Sequence, residues 1–139
     1  MEYFVGIVLA LAIAGLAAGC GFYRDRSFGP TVLIVIAAYY VLFAVMGSSG
    51  RTIVVECIAA AGFVLAAMIG FKASPLLVAA AIASHGLFDF THYLFIDDPG
   101  VPHWWPGFCG TVDILLGASL ALLHMRDSRT PQAPGVPRG

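Results

Sequence analysis

Three side chains able to bind a metal or move a proton, His85, Asp89 and His92, fall within eight residues of one hydrophobic stretch. At about 100° per residue they point within about 60° of one another on a single helical stripe. A second stretch carries Asp113, with Cys109 and Gly117 one turn away on the same face, and a third carries Glu56. A further stretch offers the phenols Tyr39 and Tyr40. Imidazole nitrogen with carboxylate oxygen is the donor mixture that suits zinc or non-haem iron, and two His with one carboxylate leave positions open for water or substrate. On that reading His85, Asp89 and His92 are ligands, and Asp113 is a ligand or the general acid/base. Glu56 then carries protons behind them. The same residues without metal also make a proton relay, an acid catalyst of the isoprenoid isomerase or cyclase type, or a hydrogen-bonded lock that fixes helix register.

These groups must be positioned by helices in a bilayer. Of the 139 residues, 60% are hydrophobic and 11% charged, whereas a soluble domain carries about 25% charged residues. The composition excludes a water-soluble globule, and a net charge of −1 without a basic run argues against a nucleic-acid partner. A crossing needs about 20 apolar residues, and five segments qualify: Tyr3 to Gly21, Pro30 to Gly47, Thr52 to Phe71, Pro75 to Ile96 and Gly107 to Met125. The expected fold is therefore an all-α, five-helix transmembrane bundle over residues 1–125, followed by a disordered cytoplasmic tail over 126–139. Arg24, Arg26, Lys72, Arg126, Arg129 and Arg138 fall on one side and only Arg51 on the other. The positive-inside rule then places the N-terminus outside and the C-terminus in the cytoplasm. Ala17-Ala18-Gly19-Cys20 has some likeness to a lipoprotein cleavage box, but Glu2 stands where a signal needs basic residues, and cleavage would invert that charge balance.

With this orientation Glu56 and His92 lie about 6 Å below the outer helix ends, Asp89 and Asp113 about 10 Å and His85 about 16 Å. Ionisable groups at such depth are costly unless they meet, so the expectation is one convergent outer-leaflet layer, completed by one of the two phenols. Above it, Pro99 to Cys109 reads as a stiff aromatic loop. Trp104 and Trp105 belong at headgroup level, while His103 and Cys109 are placed for an entry lid, a further ligand or a redox partner. Gly15xxxGly19 and Gly62xxxAla66xxxGly70 mark the first and third spans as packing elements. Cys20 and Cys57 read as small packing residues, and His124 as an interfacial anchor.

The run HGLFDFTHYLF and the following DPGVPHWWPGFCGTVDILLGA, within residues 85 to 118, resemble a family of small bacterial multi-pass membrane proteins of unknown function. In that family an HGxxDxxH helix, a tryptophan/proline loop and an FCxxxD helix recur together. The resemblance covers about a quarter of the chain. It implies that His85, Asp89, His92, Cys109 and Asp113 share one site in a bacterial inner membrane, and it gives no activity. In chemistry, though not in sequence, the site is similar to intramembrane metal hydrolases of the alkaline ceramidase type, which have more spans and a different histidine spacing. The sequence thus points to a zinc- or iron-dependent enzyme acting on a lipid-like substrate. A proton- or metal-coupled transporter is the alternative, and an oligomer remains open.

Overall fold

The computed structural model describes residues 1–47 and 49–129. Five long helices make up the architecture: α1 (Glu2–Cys20), α2 (Phe28–Gly47), α3 (Gly50–Ala73), α4 (Pro75–Phe95) and α5 (Trp105–Arg129), with one 3₁₀ turn at Phe22–Arg24. The all-α expectation holds, and no strand occurs among the described residues. Helices α1, α2, α3 and α5 are each long and apolar enough to cross a membrane. Helix α4 has 21 residues, enough for about 30 Å, but it carries His85, Asp89 and His92. All three are buried against neighbouring helices, while apolar side chains such as Phe4, Leu16, Val54, Ile58, Leu65 and Leu122 cover the outside. This inside-out distribution is what a lipid solvent selects.

The helix ends follow local chemistry. Ser74 caps α4 by accepting from the Leu76 N–H at 3.2 Å, and Pro75 occupies the first turn, where no backbone donor is lost. Ser49 caps α3 through the Thr52 N–H at 3.4 Å. Gly21 closes α1 at φ 76°, a left-handed conformation that favours glycine. Helix α2 begins at Phe28, ahead of the expected Pro30, because Asp25 folds the chain back by accepting the Ser27 N–H (2.9 Å) and hydroxyl (2.8 Å). Those donors hold the Asp25 carboxyl below the usual carboxylate range. Helix α5 runs on to Arg129, so residues 126–129 of the tail expected to be disordered are helical. The rest of that tail, 130–139, lies outside the described residues.

Helix α4 is the hub. It packs against α5, α3 and α2, while α1 leans on α5. Glycine sets the α4–α5 distance. A Cβ on Gly86 would come within 2.7 Å of the Gly110 carbonyl oxygen, one on Gly110 within 2.9 Å of the Gly86 oxygen, and one on Gly117 within 2.6 Å of the Ala79 oxygen. Backbone therefore lies on backbone, the close approach that small residues permit in lipid. The small-residue motifs expected to pack elsewhere behave differently. Gly15, Gly19 and Gly62 are exposed with nothing near their missing Cβ, whereas a Cβ on Gly70 would meet Val78 and Leu77. Helix α1 instead buries Gly6, Ala10, Ala14 and Ala17, because the face an apolar helix turns inward is set by its partner's shape, here α5.

Side-chain ties gather the connections at two ends. At one end Arg24 and the Tyr23 hydroxyl donate to Asp127 Oδ2 at 3.0 and 2.8 Å, and Arg26 donates to the Phe71 carbonyl at 2.8 Å, satisfying the C-terminus of α3. The Asp127 partnership holds the Arg24 guanidinium above its already high range. At the other end Thr52 Oγ1 donates to the Asp97 carbonyl at 3.3 Å, and Gly107 packs beside Tyr3. The half of the bundle toward Tyr23 is filled by an apolar core built on Leu33, Ala67, Ile82, Leu116 and Leu120.

Candidate functional site

The Gly86–Gly110 contact brings the polar faces of α4 and α5 together. His85 Nδ1 lies 2.8 Å from Asp113 Oδ2 and 3.6 Å from Asp89 Oδ2. One potential ligand atom each from His85, Asp89 and Asp113 lies within 4.8 Å of the others, and none of the three side chains is more than 1% exposed. Asp113 Oδ1 and both Asp89 oxygens are buried without a hydrogen-bond partner. Leaving such acceptors dry and unpaired is costly, so the cluster has capacity for a proton or a cation. His85 stands at the midpoint of α4, about 15 Å from either end. Phe63 meets its ring edge-on at 4.6 Å.

His92 and Glu56 lie elsewhere. His92 Nε2 is 2.5 Å from Glu56 Oε1, which ties α4 to α3 instead of to α5. His92 is thus not part of the three-residue group, although it shares a helical stripe with His85. It sits about 10 Å farther along α4, where α3 is the facing helix. The single layer anticipated from depth is two polar contacts at two levels. Between them stands Tyr40, buried and stacked on His92 at 4.2 Å, with its ring 6.1 Å from that of His85. Of the two phenols it is Tyr40 that joins the site, while Tyr39 is half exposed and packs on Trp105 at 5.1 Å. Phe88 touches His85, His92 and Tyr40. Nothing in the sequence marked Phe63 or Phe88, since aromatic residues at helical spacing look the same whether they line a site or fill a core.

Cys109 is buried on α5, its thiol 3.9 Å from Asp113 Oδ2. Cys20 and Cys57 are exposed and all three are free thiols. A cleft of about 700 Å³ opens beneath the loop that joins α4 to α5, lined by His92, Asp97, His103, Tyr3 and Phe90 among others. Trp105 is wedged between Tyr39, Phe43, Trp104 and Phe108, and Trp104 is exposed. His124 packs edge-on against Tyr23 at 5.7 Å, far from the cluster. At that opposite end the space between Tyr23, Val78 and His124 is about 20 Å³, room for about one water.

With this geometry established, comparison with protein-family models, with curated proteins and with solved structures finds no match to the chain. The functional reading therefore rests on the site itself.

Proposed function

We propose that this chain is a small bacterial inner-membrane protein with a metal centre at His85, Asp89 and Asp113, and that it acts on a lipid-like substrate reached from the end that carries the tryptophan loop. The observation that carries this reading is the group of three buried ligand atoms within 4.8 Å, with carboxylate oxygens left unpaired. One imidazole and two carboxylates suit a divalent zinc or iron ion, which would polarise a carbonyl or activate water. The loop-end cleft reaches His92, whereas the opening of about 490 Å³ at the other end is lined by residues between Phe22 and Ile36 alone and lies against the apolar core, which favours access from one side and weakens the transporter alternative. By the distribution of Lys and Arg, the loop end faces outward.

Glu56 and His92 fit a different role. Their mutual hydrogen bond ties α3 to α4 beneath the cleft, which favours a polar lock at that level over a ligand role for His92. The test is elemental analysis of detergent-purified protein. About one zinc or iron per chain in the wild type, lost in both His85→Ala and Asp113→Asn but kept in His92→Gln, is the expected result. A wild-type protein free of metal after growth in supplemented medium overturns the reading.

A further inference from the structure

Two i, i+4 pairs face each other across the glycine contact: His85 with Asp89 on α4, and Cys109 with Asp113 on α5. Three of the edges between their polar atoms are 2.8 Å (His85 to Asp113), 3.6 Å (His85 to Asp89) and 3.9 Å (Cys109 to Asp113). Zinc holds nitrogen and oxygen at about 2.0 Å and sulfur at about 2.3 Å, so the edges of its tetrahedron are about 3.3 Å between N and O and about 3.5 Å between S and O. These three edges scatter around those values with no ion in place, whereas the Cys109 sulfur lies beyond 4.8 Å from at least one of the other donor atoms, so the thiol must close in on binding. Cys109 is also buried, and no other thiol lies near the cluster: Cys20 and Cys57 are on exposed positions of α1 and α3.

Building on the metal reading above, we infer that Cys109 is the fourth donor of the centre, giving an N, O, O, S set that selects zinc over harder ions. Binding releases the thiol proton to solvent, as it does at every thiolate site. A four-donor set admits substrate only if one arm withdraws. Asp89, at 3.6 Å from His85 Nδ1 the more distant of the two carboxylates, is that arm.

Cobalt(II) distinguishes this inference from the reading beneath it. In a Cys20→Ser/Cys57→Ser background Cys109 is the only thiol. Titration of the purified protein with Co²⁺ should produce both visible ligand-field bands and a near-ultraviolet sulfur-to-cobalt charge-transfer band. Adding Cys109→Ser should abolish the charge-transfer band and weaken Co²⁺ binding at least tenfold while the visible bands survive at higher cobalt. Visible bands without the charge-transfer band in the Cys109-containing protein overturn the sulfur donor and leave the metal centre standing. No cobalt spectrum at all overturns both. Should Cys109→Ser fail to fold, Cys109→Ala in the same background supplies the comparison, with circular dichroism confirming its helices.

Discussion

Buried polar residues in lipid act through what they touch, and each of the two contacts here can be broken separately. His92→Leu leaves Glu56 enclosed with no partner, which costs about 3 kcal/mol where an ionised pair is broken from one side. The double variant Glu56→Leu/His92→Leu removes both groups and should recover most of that loss. Reversible unfolding in mixed micelles measures it, and equal losses in the single and double variants would refute the lock. The sequence made His85, Asp89 and Asp113 legible because an i, i+4 pair on one stripe and a carboxylate at matching depth leave few ways to be satisfied. It could not separate His92 from them. Helical periodicity gives the direction in which a side chain leaves its own axis. It does not give the neighbour at each height, and crossing helices change partners over the 10 Å or so between His85 and His92.

At the level of elements, five helices could be read from length and punctuation, with ends shifted by a few residues where Asp25 and the run toward Arg129 extend them. The packing was less legible, since glycine pairs abound in a chain with 16 glycines and only contact distinguishes them. Gly110→Ala should cost about 2 kcal/mol by forcing α5 off α4. It should also weaken metal binding, since His85 and Asp113 separate with the helices. Gly62→Ala, on an open face, should lie within about 1 kcal/mol of wild type on the stabilising side. Chemical denaturation of the two variants side by side tests the assignment, and equal effects would show that the glycine contact does not set the helix distance.

For the molecule as a whole, the ties among Arg24, Arg26, Asp127 and the end of α3 collect most of the described basic residues at one end, and the tryptophan loop lies at the other. In a cysteine-free background, His103→Cys should react with a membrane-impermeant maleimide in intact cells, whereas Lys72→Cys should react only after permeabilisation. The reverse pattern would put the loop in the cytoplasm and refute outward access.

Helix α4 is the least suited of the five to stand alone among acyl chains, for its polar stripe is covered only by α2, α3 and α5. An aspartate at mid-membrane costs about 3 kcal/mol on the scale that describes insertion during synthesis. The ribosome therefore delivers a segment that cannot partition into lipid until its successor emerges, and α4 and α5 should leave the translocon together as a hairpin. Glycosylation-site mapping of nascent chains checks this: α4 should enter poorly when the chain stops at Ile96 and efficiently once α5 follows.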